Sequence, residues 1–397
     1  MIVAPEWRQR HAHPRFRRAA AVVGVGHTDW VKDHKRTKAG EKPADSYGYG
    51  LDAFGKALRD ANIRREEIDG LIVGPTTSYE RVGELAGIDP RWGDQADSVL
   101  SIVQACMAIE SGFADVVALI YGNDQRSAGT QYGGPEAMGG NYFLSYVYHA
   151  PWGLTSQGAL FALSCRAYLE ARGMCERELG EVAVAQRGWS ALNENAIMRK
   201  RITIDDYLAS RYVCEPLRLL DYCLINDGGV ALIIAEAGRA KRMTEKPVFI
   251  ESVGRFDSNR NATSLEPRMT EFTLPAQQAC SAQAFGLAGI GPKDIDTLQV
   301  YDSFSLHLPL ALEGNGYCAI GDAGKFLREQ GIGPGGRLPT NTSGGHLSEA
   351  YMQGWNHQIE CVRQLRGESG ARQVPNCRYA HYSSAVAGKA VSIIYSR

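Results

Sequence analysis

One segment of the chain occurs twice. Ala57–Val73 (ALRDANIRREEIDGLIV) aligns without a gap to Ala284–Val300 (AFGLAGIGPKDIDTLQV). Ala57/Ala284, Ala61/Ala288, Ile63/Ile290, Ile68/Ile295, Asp69/Asp296, Leu71/Leu298 and Val73/Val300 are identical pairs. Each copy reads as a helix, a turn and a buried strand. The flanks repeat too. PVFIESVG, ending at Gly254, resembles AAAVVGVG, ending at Gly26, and GVALII from Gly229 is matched by GKAVSII from Gly388. Chance rarely gives this spacing twice, so the chain is expected to be a duplicated α/β fold. Two mixed sheets should pack on shared central helices, each sheet mostly parallel and of about five strands. The boundaries are expected at a tail over 1–18, a first half over 19–245 and a second half over 246–397. The regular rhythm breaks from about 122 to 217, which reads as an inserted loop-and-helix region. A site belongs where strand ends of the two halves converge.

Composition closes off several classes. The net charge of -1 over 397 residues gives no reason to expect a nucleic-acid partner. No apolar run reaches membrane-spanning length, and the arginine-rich start lacks a signal-peptide core, so a cytoplasmic location is expected. The nine cysteines form no CxxC pair, which favours reduced thiols over disulfides or a zinc site, and no metal is expected.

Chemistry concentrates between Leu298 and Trp355. A short apolar run delivers Tyr301-Asp302-Ser303-Phe304-Ser305 at a strand end. Asn341-Thr342-Ser343-Gly344-Gly345-His346 is a glycine turn that leads through Glu349-Ala350-Tyr351 into a helix. Tyr351, Trp355, Ile359 and Val362 repeat at helical spacing, which places Tyr351 at that helix start. Such places gather side chains and free backbone N–H groups. The bland alternative is a half-buried core tyrosine and glycines that only form turns.

These punctuations resemble the thiolase superfamily, nearest its sterol-carrier-protein branch, from Ala19 onward. Pro216-Leu-Arg-Leu-Leu-Asp221 through Gly229 and Arg363-Gln364-Leu365-Arg366-Gly367 carry the likeness. The departures are specific. The position of a thiolase's nucleophilic cysteine falls near Gln95, and Gly93 to Ser98 contains no cysteine. Cys106 lies further into the helix and reads as a core thiol. The family's His-Asp-x-Phe is here Tyr301-Asp302-Ser303-Phe304, and its Gly-His-Pro is Ala350-Tyr351-Met352. This paired replacement resembles the thiolase-like aldolases of steroid side-chain degradation.

The resemblance implies retro-aldol cleavage of a β-hydroxyacyl-CoA without a cysteine nucleophile. Tyr301 and Tyr351 are the expected catalytic pair, facing each other, with Tyr351 favoured as base and Tyr301 as acid or positioning group. Asp302, Gly344, Gly345, His346 and Gly388 are candidates for contacts to the substrate or its CoA. Asp302 could instead cap the following segment, and His346 could be a supporting partner of the site or a loop residue. No cofactor is expected beyond the CoA carried by the substrate. A homodimer is implied, joined to two copies of a DUF35-type zinc-ribbon and OB-fold protein in an α2β2 complex. The competing expectations are a divergent thiolase or acyl-CoA acyltransferase, and a non-catalytic acyl-CoA-binding subunit.

Overall fold

The computed structural model describes residues 13–130, 152, 156–257, 274–386 and 388–397. Nine strands form one sheet: β1 (Ala20–His27), β2 (Gly70–Val73), β3 (Trp92–Gln95), β4 (Val116–Asn123), β7 (Gly228–Glu236), β8 (Val248–Asp257), β9 (Thr297–Val300), β10 (Tyr379–Val386) and β11 (Lys389–Ser396). Their order is β3-β2-β4-β7-β1-β8-β11-β10-β9. Read outward from the centre, β1-β7-β4-β2 on one side answers β8-β11-β10-β9 on the other. That is the arrangement a duplication demands. β5 (Tyr212–Cys214) and β6 (Leu217–Arg218) make a separate small hairpin.

The repeated segments take equivalent places. The Ser46–Ala61 helix leads to β2, and the Leu274–Ala288 helix leads to β9, each through a 3-10 turn. The first helix packs on β1, β7 and β4, the second on β8 and β11. A glycine permits the close approach in each half. A Cβ on Gly26 would strike the Ala53 carbonyl and the Ala57 nitrogen. One on Gly254 would strike the Cys280 carbonyl and meet the Ala284 nitrogen.

Two details differ from expectation. The half-sheets are not separate, because β1 and β8 pair antiparallel through Ala20↔Ile250 and Val22↔Val248. Nor is either half mostly parallel. β2 runs parallel to β3 and β4, and β9 to β10, while the long strands pair antiparallel. The second half contributes four strands among the described residues. Long apolar runs buried on both faces, such as β7, read alike in either direction.

The helices Ser98–Glu110 and Trp355–Arg366 lie on the opposite face and touch strands of both halves. Ile102, Cys106, Trp355, Ile359 and Val362 join β1, β4, β7, β8 and β11 in one core. Cys106 is 3% exposed there, and burial pushes its thiol up to about 12, as expected of a core cysteine.

In the inserted region, the Gln157–Arg172 and Glu176–Ser190 helices pack on Leu298, Val300, Phe304 and Leu308 of the second half. At the start of the inserted region, residues 122–130 are described and residues 131–151 lie outside the described residues. Asp221 fastens the chain that follows. Its carboxylate accepts from the Tyr207 and Ser305 hydroxyls and the Arg218 N–H, and its carbonyl accepts from the Ser305 N–H.

Burial pushes the Asp221 carboxyl up to about 6 from 3.8. A raised folded pKa means that this group favours folding most below about pH 4 and that the advantage is lost as pH rises through about 6. The linkage is worth up to about 3 kcal/mol. Asp221→Asn removes the titration. Thermal melts are therefore expected to show the wild type losing ground to this variant between pH 4 and 7. A difference in melting temperature that does not vary with pH would contradict the assignment.

Candidate active site

β9 carries the site's first arm. Asn341 stitches its last residue in place, accepting from the Val300 N–H at 2.7 Å and donating to the Val300 carbonyl at 3.0 Å. The next residue, Tyr301, donates its N–H to the Ser383 carbonyl of β10 at 3.0 Å. The second arm is the glycine turn. Its backbone is left-handed at Gly344 and Gly345, with φ of 108° and 59°. A Cβ on Gly345 would fall on the Asp302 carboxylate, and one on Gly344 would lie 2.6 Å from Ser190 Cβ. Both glycines are buried against protein. Gly388 sits apart, in the turn joining β10 to β11, with φ 76°.

The turn opens only a four-residue helix, Gly345–Ser348. Tyr351 follows it and precedes the Trp355–Arg366 helix, whose N-cap is Gly354 with φ 86°. The spacing that put Tyr351 at the helix start is thus corrected, because the left-handed Gly354 begins the helix at Trp355. Tyr351 is held instead by its backbone. Its N–H donates to Asn226 Oδ1 at 2.7 Å, and its carbonyl accepts from Asn123 Nδ2 at 3.4 Å.

The two tyrosine hydroxyls meet. Tyr301 Oη lies 3.0 Å from Tyr351 Oη. Tyr301 is 8% exposed and Tyr351 half-buried. Burial holds the Tyr301 phenol well above 10, outweighing the opposing effect of the Tyr351 hydrogen bond. Tyr301 is therefore a neutral donor at any physiological pH.

His346 supports both rings. Its imidazole stands edge-on to Tyr301 and tilted to Tyr351, with centroids 4.8 Å away in each case. It is fully buried, so it is a supporting residue and not a solvated loop side chain. Asp302 lies beneath. Its Oδ1 accepts from the His346 backbone N–H at 2.9 Å and from His357 Nε2 at 2.8 Å. Asp302 is 0% exposed and braces the histidines from inside the protein. His357 gave no signal in the sequence beyond its place on an amphipathic helix.

Asp302, His346 and His357 offer ligand atoms that all lie within 4.8 Å of one another. His346 Nε2 lies 2.8 Å from the Gly354 nitrogen and 3.2 Å from Asn356 Oδ1, so the tautomer with its proton on Nδ1 accepts from Gly354 and the tautomer with its proton on Nε2 donates to Asn356. Burial and the neighbouring His357 hold His346 well below 6.5, consistent with a neutral ring.

One further thiol was missed. Cys223 lies within electrostatic range of Tyr301 and Asp302, and its N–H donates to the Ser303 carbonyl at 3.0 Å. Burial pushes it up to about 12, so it is a thiol and not a thiolate. The Asp221–Ser305 hydrogen bonds and the bridge between Tyr222 and Phe304 bring it here, and those are tertiary contacts.

Residues 259–397 match the model of the thiolase C-terminal domain-like family. The chain is 34% identical over 369 residues to the 17-hydroxy-3-oxo-4-pregnene-20-carboxyl-CoA lyase of Mycobacterium tuberculosis, covering 88% of this chain and 92% of the relative. It is 32% identical over 367 residues to the steroid side-chain-cleaving aldolase of Thermomonospora curvata, covering 88% and 91%. Among solved structures, the Ltp2-ChsH2(DUF35) aldolase superposes with a TM-score of 0.86 at 27% identity, over 96% of this chain and 98% of that one.

Proposed function

The chain belongs to the thiolase-fold family of the steroid side-chain-cleaving aldolases, and from that premise we propose that it is a carbon–carbon lyase acting on a β-hydroxyacyl-CoA whose acyl part is a steroid side chain. The observation that carries the reading is the 3.0 Å contact between the Tyr301 and Tyr351 hydroxyls. Two phenols at that spacing can hold one proton in transit between a base and an acid.

Tyr351, entering the cycle as the phenolate, takes the proton of the β-hydroxyl. The Cα–Cβ bond then breaks, the electrons passing to Cα and the thioester carbonyl, and the β-carbon leaves as a ketone. Tyr301, neutral and buried, donates to the enolate and returns a proton to Cα. The products are the ketone and a shorter acyl-CoA, and the proton that Tyr351 gained passes across the 3.0 Å contact to Tyr301, which restores both side chains. No covalent intermediate is needed, in keeping with the missing cysteine at Gln95 and the protonated thiol of Cys223. Asp302 and His346 act through the tyrosines by fixing their rings. Gly344 and Gly345 serve the turn.

We extend the proposal to the assembly. β3 stands at the free edge of the sheet, with Gly93, Asp94 and Gln95 exposed, which suits strand pairing with a second copy. The name of the solved Ltp2-ChsH2(DUF35) aldolase supports a DUF35-type partner, and we propose that two copies of each chain form an α2β2 complex. None of the helices among the described residues is long and apolar enough to cross a membrane.

The test is a Cys106→Ala/Cys223→Ala double variant, assayed with its partner and without free CoA. Cleavage of a β-hydroxyacyl-CoA within about threefold of wild type is expected, because losses outside the machinery are small. Inactivity of the folded variant, or an absolute need for free CoA, would favour acyl transfer.

A further inference from the structure

Ser303 and His307 form a polar pair beside Tyr301 that the mechanism above does not use. Ser303 is half-buried between two buried neighbours, Asp302 and Phe304, and lies two residues beyond Tyr301. Its Oγ is 3.0 Å from His307 Nε2. His307 is 4% exposed and opens the His307–Gly314 helix. Its ring lies 5.0 Å from that of Phe161 in the inserted region and stands edge-on to Tyr301 at 6.0 Å.

A serine hydroxyl bound to a buried histidine needs a reason, since an apolar pair would pack against Phe161 and Phe304 at lower desolvation cost. Burial pushes the imidazole down to about 3, so the ring is neutral. A neutral ring bearing its proton on Nε2 donates to Ser303 Oγ. That leaves the serine O–H free to donate outward. The retro-aldol step supplies an acceptor: the β-oxygen, an alkoxide once its proton has gone and a ketone after the bond breaks. Both forms accept hydrogen bonds and neither donates.

We propose that Ser303 is a further catalytic residue, donating to the β-oxygen as it becomes an alkoxide, and that His307 is the positioning residue that aims its hydroxyl. The proposal rests on the retro-aldol reading above. A donor at the other end of the breaking bond complements Tyr301, which serves the enolate. It also makes the β-oxygen a determinant of specificity, because a substrate without it leaves the serine unpaired.

The experiment compares wild type, Ser303→Ala, Ser303→Thr, His307→Phe and the Ser303→Ala/His307→Phe double variant, each with its partner. Ser303→Ala is expected to lower kcat/KM for a β-hydroxyacyl-CoA by about 100-fold, as loss of one oxyanion donor does. The inhibition constant of the β-deoxy acyl-CoA should stay within about twofold, because that ligand makes no such bond. Ser303→Thr should recover most of the rate. His307→Phe keeps a ring against Phe161 and should match Ser303→Ala, and the double variant should be no worse than either single one. Equal losses for the hydroxy substrate and the deoxy inhibitor, additive losses in the double variant, or an unchanged kcat/KM would each overturn the proposal. Failure of the wild type to cleave any β-hydroxyacyl-CoA would instead remove the retro-aldol reading, and this inference with it.

Discussion

Tyr351→Phe is expected to slow single-turnover cleavage of a β-hydroxyacyl-CoA by about 100- to 10,000-fold, the range for losing a positioned general base. Folding should hardly register the change. The phenylalanine keeps the ring against His346, and the backbone anchors to Asn226 and Asn123 do not involve the hydroxyl. The hydrogen bond lost is the one to Tyr301, and a half-buried position lets water replace part of it. A net hydrogen bond is worth about 0.5 to 1.5 kcal/mol, so a small shift in melting temperature is the ceiling. A rate near wild type, with the partner present, would make this tyrosine a packing residue.

Tyr301→Phe should cost about 100-fold or more by a different route. Tyr301 is held as a neutral phenol well above its ordinary pKa, so its value lies in the proton it donates. Without it the base can still open the Cα–Cβ bond, but the enolate loses its donor and waits for water. The slow step then moves to protonation of Cα, and ketone release should run ahead of acyl-CoA formation in rapid-quench traces. The hydroxyl left behind in this variant is that of half-buried Tyr351, which water can reach, so its melting temperature should fall slightly less than that of Tyr351→Phe, which leaves the buried Tyr301 hydroxyl. Equal and simultaneous appearance of both products at wild-type rate would remove Tyr301 from the chemistry.

The duplication was legible because residues 57–73 and 284–300 must each make the same helix, turn and strand at the same register. Five of the seven identical pairs are buried in both copies, such as Ala57/Ala284 and Leu71/Leu298, and Ile63/Ile290 and Asp69/Asp296 are half-buried. The meeting of Tyr301 and Tyr351 was legible through the motif positions, since one ends β9 and the other leaves the adjoining turn. The joining of β1 to β8 was not legible, for two buried apolar strands carry no mark of which edge they seek. Nor was the true helix start legible from periodicity: Trp355, Ile359 and Val362 continue the spacing of Tyr351, but the left-handed Gly354 breaks the backbone between them. Gly344 and Gly345 could be read as room for a ligand. In the fold that room is taken by Ser190 and by the carboxylate of Asp302. The polar groups around the tyrosines were the least visible. His357 comes from one stretch and Cys223 and Asn226 from another, and they reach the tyrosines only through long-range contacts.

The most direct measurement is cleavage of a β-hydroxyacyl-CoA in deuterium oxide by the chain with its partner, without free CoA, followed by mass analysis of both product and protein. One solvent deuterium at Cα of the shorter acyl-CoA, a ketone in equal amount, and protein of unchanged mass throughout turnover are expected. An acylated cysteine on the protein, or a shorter acyl-CoA without deuterium that appears only when free CoA is added, would contradict the retro-aldol reading.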